Sequence, residues 1–342
     1  MKVKLFIFHP HTLFVNGGGE TMIQNVFENL KKSDIDAEFF DIYNRKTDFD
    51  IFHLFGSNNS VSELYTALSG ENKTLIVSAI DFSNFSYLKL KLYKYAQEFY
   101  PGENTYKYRK KLFNYAKVII ANSKNEKKFL IDYFGLDENK IEVVPVGVSS
   151  KFYKPASTIF LDRFKFKDYI LCVGRINPRK NQIKTINALK KLGLDLVFVG
   201  REDPSEMDYF NKFKILVEQT DNVHWIGQLD NGSDLLASAY ANAKAHILPS
   251  FPPEFPGIAS MEAGLSGTRV ITTKSPAILE TFEELIYYCE PTEESIYDVT
   301  IKALKKENDK KIREHLYNNY IWEEISKRII KIYESCILRG GN

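Results

Sequence analysis

Short continuous apolar runs alternate with longer segments of helical spacing along this chain. Residues 2–8 form the first run, rich in β-forming side chains, and read as a strand buried on both faces. Residues 21–30 follow, with Met22, Val26, Phe27 and Leu30 at helical intervals. Further strands are predicted at 37–42, 50–55, 74–80, 117–121 and 141–144, and helices at 62–68 and 124–134. Residues 149–168 lack a clear period and read as a linker, after which the alternation begins again. Strands are then predicted at 169–173, 195–199, 223–226, 245–248 and 269–272. Helices are predicted at 182–191, 209–219, 233–241, 278–285, 295–306 and 320–338. Strand–helix alternation implies parallel sheets with crossover helices. Its double occurrence in 342 residues, more than one core usually fills, implies two doubly wound α/β halves.

The stretch 254–267, EFPGIASMEAGLSG, concentrates the candidate chemistry. Glu254 lies in a Pro-rich turn, and a helix is expected to begin at about Gly257 and to stop near Gly264 or Gly267. A helix start leaves backbone N–H groups unpaired and carries partial positive charge. The amides around Gly257, Ile258 and Ala259 therefore suit phosphate oxygens, and Gly257 lets a ligand approach the backbone. Glu262, on the second turn, reaches back toward the same end. Two carboxylates beside an anion seat suit a ligand that is both phosphate and polyol, such as a nucleotide-sugar. On spacing alone, a loop acid and a solvated helix acid explain the pair as well. Arg175 and Lys180 fall just past a predicted strand, where they suit a leaving diphosphate, with Arg179 equally eligible and Arg201 a weaker candidate. The run Gly17-Gly18-Gly19 between a strand and a helix is a second phosphate-type loop, although its spacing is not GxGxxG.

Composition narrows the field. A formal charge of +2 gives no bulk electrostatic case for nucleic acid. The three cysteines, Cys172, Cys289 and Cys336, have neither metal-ligand nor redox spacing, which favours a reducing cytoplasmic setting. The first apolar run is too short for a signal peptide, and no run reaches the ~18 apolar residues of a membrane span. The six histidines form no HExxH or Cys/His cluster, and His53 and His246 read as core residues inside strands. Asp34, Asp36, Asp48 and Asp50 form two Asp-x-Asp triplets that read as strand-entry turns rather than a cation site. Between residues 87 and 118, Lys89, Lys91, Lys94, Lys107, Arg109, Lys110 and Lys111 alternate with Tyr and Leu. This reads either as two amphipathic helices with solvated faces or as a surface for an anionic membrane or an acidic acceptor.

Taken in order, these residues resemble the family 4 glycosyltransferases. Glu254 and Glu262 match that family's E-x7-E motif, and Gly17–Glu20 its glycine loop. VGRINPRKN resembles the stretch that supplies its Arg and Lys, and VVPVGV at 143–148 the turn ahead of its interdomain linker. Ser275–Glu280, the Pro291 loop and Trp322 fall where the family has counterparts, so the resemblance spans nearly the whole chain. It implies the GT-B fold, two Rossmann-like doubly wound domains facing across a cleft. The boundaries expected are 1–152 for an acceptor-side domain, 153–318 for the nucleotide-sugar domain, and a helix at 319–342 packing back on the first.

The resemblance also implies retaining, metal-independent sugar transfer with no cofactor. Arg175 and Lys180 would hold the diphosphate, Glu262 the ribose hydroxyls and Glu254 a sugar hydroxyl. The amides of Gly257 and Ile258 and the loop Gly17, Gly18 and Gly19 would assist, and the base would sit near Gly227 and Gln228. The acceptor would attack from the leaving-group face, with the departing phosphate taking its proton. The chain departs from the family in two places. The family's usual His after the fourth strand is missing, leaving Asp81 or Ser83 for the acceptor side, and Phe255-Pro256 replaces the usual Gly after Glu254. The expected function is transfer from a nucleotide-diphosphate sugar to a saccharide or lipid-linked acceptor, in cell-surface polysaccharide or glycolipid synthesis at the inner membrane face. Two other functions fit less well. One is a catalytically weak nucleotide-sugar-binding partner subunit, suggested by the missing His. The other is a nucleotide-sugar epimerase, whose acid/base set is not found.

Overall fold

The computed structural model describes residues 1–7, 18–41, 43–44, 48–58, 68, 73–81, 87–154, 157–252, 254, 257–308 and 310–338. The chain divides into two compact units, Met1–Gly147 with Trp322–Asn342, and Val148–Ile321.

Among the described residues unit 1 holds six strands: β1 Lys2–Ile7, β2 Asp36–Phe39, β3 Ile51–Phe55, β4 Thr74–Ser78, β5 Val118–Ala121 and β6 Ile141–Val143. All pair in parallel, in the order β2-β1-β3-β4-β5-β6. Every residue of β3 is buried, as expected of a central strand covered on both faces. Its described helices are α1 Gly18–Lys32, α2 Tyr87–Phe99, α3 Thr105–Tyr115 and α4 Lys124–Phe134. Local chemistry fixes α4 at both ends. The Ser123 hydroxyl accepts from the Glu126 amide at 3.0 Å, and Gly135 closes the helix with φ of 69°. The helix expected at 62–68 lies outside the described residues except for Leu68.

Unit 2 repeats the plan. Its strands are β7 Tyr169–Val173, β8 Asp195–Val199, β9 Val223–Trp225, β10 Ala245–Leu248, β11 Val270–Thr273 and β12 Tyr287–Cys289. They are again all parallel, in the order β12-β11-β10-β7-β8-β9. The helices are α5 Ile159–Phe164, α6 Gln182–Leu189, α7 Met207–Glu218 and α8 Asp234–Asn242. They continue with α9 Ile258–Leu265, α10 Pro276–Phe282, α11 Glu293–Lys305 and α12 Lys311–Tyr320.

Three expectations need correction. The segment read as a linker holds a 3-10 turn, Ser150–Tyr153, and α5; its Phe152 and Phe160 are buried in the core of unit 2. Elements this short give too few apolar repeats to declare a period. β12 was not expected, for the same reason, since it is only three residues long. The single helix expected at 320–338 is instead preceded by α12 and starts after a break at Ile321, whose ψ of 148° is extended. Beyond that break α13, Trp322–Leu338, belongs to unit 1 and packs on α1. Within unit 1 its Tyr333 hydroxyl lies 2.6 Å from His53 Nδ1, while His53 Nε2 lies 2.9 Å from the Ser78 hydroxyl. His53 is thus the satisfied core histidine expected, and burial pushes its imidazole down to about 3.

Candidate active site

In the sheet of unit 2 the strand order reverses between β7 and β10. Such a switch point opens a crevice at the carboxyl ends of the strands, where open α/β sheets bind ligands. The loops that follow β7 and β10 carry Arg175–Lys180 and Glu254–Gly257. Backbone hydrogen bonds lace the neighbouring loops together. The Gly174 amide donates to Val199 at 2.9 Å, the Ile176 amide to Arg201 at 2.8 Å, and the Gly200 amide to Gly227 at 2.8 Å. A Cβ on Gly200 would stand 2.0 Å from the Gly174 carbonyl oxygen, so only glycine permits this approach. Asn181 ties in two further loops, donating to the carbonyls of Pro249 at 3.2 Å and Pro291 at 3.3 Å. Arg201, Gly227 and Gln228 therefore lie on loops at the same end of the sheet as Arg175, with Gln228 exposed.

The charges pair more selectively than their spacing suggests. Lys180 Nζ lies 2.7 Å from Glu254 Oε2, and Arg179 approaches Oε1 at 3.7 Å. Asn177 fixes the turn that presents Lys180, its side chain accepting from the Lys180 amide at 3.1 Å. Phe251 anchors the opposite loop by donating its amide to the Arg179 carbonyl at 2.7 Å. Burial opposes charge on Glu254, but the Lys180 ammonium and Arg179 guanidinium outweigh it and hold the carboxyl below its usual range. Arg175 does not join this group. Its partner is Asp203, at 3.6 Å, which also accepts from Asn177 at 3.0 Å. Asp203 was not singled out from sequence, because nothing in its spacing shows that the β8 loop runs beside the β7 loop.

Glu254 stands beside the start of α9: a Cβ on Gly257 would lie 3.6 Å from the Glu254 Cβ. Gly257 takes φ of 79°, and no side chain caps the helix there. The first amides of α9, from Ile258 onward, thus lack a side-chain acceptor. Glu262 sits on the second turn, and its Oε2 accepts from the Tyr240 hydroxyl at 2.8 Å. Its carboxyl lies deep although part of the residue is exposed, and burial pushes it up to about 7. Tyr240 was also missed from sequence, since its role depends on α8 packing beside α9.

Other expected site residues lie in unit 1. Gly18 and Gly19 open α1, after the loop that follows β1, next to that sheet's own switch point between β1 and β3. Asp81 follows β4 and pairs with Arg109, whose guanidinium donates to the Ser57 hydroxyl at 2.9 Å. Arg109 is therefore turned inward, a correction to reading its whole segment as a solvated face. Gly17, Ser83 and Phe255 lie outside the described residues. No cluster of metal-ligating side chains occurs among the described residues.

Two family comparisons match this layout. "Glycosyl transferases group 1" matches residues 160–334, just over half of the chain, and "Glycosyltransferase Family 4" matches residues 37–152. The chain belongs to the family 4 glycosyltransferases. Among curated family relatives, the O-antigen chain mannosyltransferase RfbU of Salmonella typhimurium is 25% identical over 209 residues. That alignment covers 60% of this chain and 55% of RfbU, so the chain spans about half of that relative's length. The sucrose-phosphate synthase of Thermosynechococcus elongatus superposes with a TM-score of 0.80 at 16% identity, covering 99% of this chain and 100% of that one. HepE of Anabaena, solved in complex with UDP-glucose, superposes with a TM-score of 0.74 at 16% identity, covering 98% and 100%. These superpositions establish the fold of this family 4 chain as GT-B, with two Rossmann-like units.

Proposed function

We propose that this chain transfers a sugar from a nucleoside diphosphate sugar to a saccharide or lipid-linked acceptor, with retention at the sugar carbon, in cell-surface polysaccharide or glycolipid synthesis. The observation that carries this reading is the Lys180–Glu254 pair at 2.7 Å, set beside the uncapped start of α9. A diphosphate seated on the amides of Gly257 and Ile258 competes with Glu254 for the Lys180 ammonium. Glu254, released, accepts from a hydroxyl of the donor sugar. Glu262 accepts from the ribose hydroxyls, and Gly227 and Gln228 border the base. Arg175, Lys180 and Arg201 supply positive charge where the leaving diphosphate gains negative charge, which favours metal-independent departure. The acceptor hydroxyl attacks from that same face and passes its proton to the departing phosphate; Asp81 and Ser83 serve the acceptor side. The UDP and UDP-glucose bound by HepE, and the mannosyl transfer named for RfbU, support this class of donor.

A thermal-shift panel of nucleotide-sugars identifies the donor, because binding to the folded state raises its stability. With that donor, Lys180→Ala, Arg175→Ala and Glu254→Ala should each lower transfer by about 100- to 1000-fold in an assay of sugar incorporation. Wild-type rates in any of the three would remove that residue from the site.

A further inference from the structure

The helix α2 packs Leu90 against the core of unit 1, yet it leaves a second apolar stripe uncovered. On its covered side, Lys94 donates to the Asp132 carbonyl at 3.0 Å and Glu98 pairs with Lys110 at 2.7 Å. On its outer side, Leu92, Tyr95 and Phe99 are 64%, 64% and 68% exposed. At about 100° per residue, these three and Ala96 share one stripe. Tyr93 and Tyr100, also more than half exposed, border it. The rings of Tyr95 and Phe99 lie 4.4 Å apart and form one aromatic patch within the stripe. Folding alone produces the opposite arrangement, with the apolar face covered and the charges outside.

Charge identifies what covers the stripe. Lys89 and Lys91 are exposed and flank it, one on either side. Residues 87–115 carry six lysines against two glutamates, Glu98 and Glu103. Those two acids are already engaged by Lys110 and Lys111. Lys94 and Lys107 donate to backbone carbonyls. A second copy of this chain, related by a two-fold axis, would set lysine rows against lysine rows. An anionic lipid leaflet offers the complement to both features, phosphates for the ammonium groups and an apolar interior for the rings.

We propose that the outer stripe of α2 docks this chain on an anionic lipid surface. Leu92, Tyr95 and Phe99 enter the boundary between headgroups and acyl chains, while Lys89 and Lys91 meet lipid phosphates. The inference deepens the reading of a lipid-linked acceptor, yet lipid docking is scored without any sugar transfer.

The whole chain is sedimented with vesicles of phosphatidylcholine, with or without phosphatidylglycerol. Binding is expected only to the anionic vesicles and is expected to weaken with added salt. Lys89→Gln/Lys91→Gln should lower partitioning at least tenfold, each neutralised lysine counting for about fivefold. Leu92→Ser/Phe99→Ser should lower it at least as far, with unchanged far-ultraviolet circular dichroism because both side chains are exposed. Equal binding to neutral vesicles, or wild-type partitioning of both double variants, overturns the proposal. So does a dimer that light scattering finds without lipid and that Leu92→Ser/Phe99→Ser dissolves while vesicle binding is absent. Vesicle binding without a thermal shift from any nucleotide-sugar would sink the transfer reading and leave the docking surface standing.

Discussion

Two glutamates eight positions apart are given opposite electrostatic settings. Glu254 faces a cation and keeps its charge, whereas Glu262 accepts from the Tyr240 hydroxyl and is pushed up by burial to about 7. Between its ordinary value of 4.5 and that value, the folded chain holds a proton on Glu262 that the unfolded chain has released. Stability from this group is therefore full below that window and falls as pH rises through it. Glu262→Gln should flatten the decline by on the order of 1–3 kcal/mol, read from urea midpoints at acidic and slightly alkaline pH. An unchanged slope in the variant would place the proton elsewhere. Sequence revealed both acids and both bases because residue type carries their chemistry. It could not reveal the partners Asp203 and Tyr240, which meet their targets across loops and helices far apart in the chain.

Among the elements, α9 has a tightly constrained start. Gly257 occupies left-handed backbone space, and a Cβ there would meet the Ile278 side chain at 2.8 Å. Ile278 is fully buried in the core of unit 2 and has little room to retreat. Gly257→Ala should therefore cost about 1–3 kcal/mol in chemical denaturation and weaken nucleotide-sugar binding together with it. Full stability would show that the turn relaxes freely. The start of this helix was legible because glycine after a Pro-rich turn announces it. Central strands were legible for a related reason: full burial gives unbroken apolar runs, and β7, β8 and β10 fall where expected. The short elements α5 and β12 and the break before α13 were not, because packing rather than local pattern creates them.

For the molecule as a whole, the apolar rhythm revealed two doubly wound halves, and the parallel order of each sheet agrees with it. It did not reveal that α2 turns a second apolar stripe outward beside the Leu90 face that packs on the core, because periodicity marks a stripe without saying which way it points. Each unit contains one tryptophan, Trp322 in unit 1 and Trp225 in unit 2, so Trp225→Phe leaves a reporter of unit 1 alone. In that background Tyr333→Phe strips the hydroxyl from His53 and should lower the Trp322 transition by about 1–3 kcal/mol. A transition that does not move would mean that the hydrogen bond adds nothing to the seating of α13. That seating has a consequence for biosynthesis. The whole of Val148–Ile321, 174 residues by subtraction, is translated between Gly147 and Trp322. At roughly 5–20 residues per second, the ribosome needs about 10–35 s to cross that interval. During it the first sheet waits with the α1 flank bare, so the later-made unit can complete its fold before the earlier one.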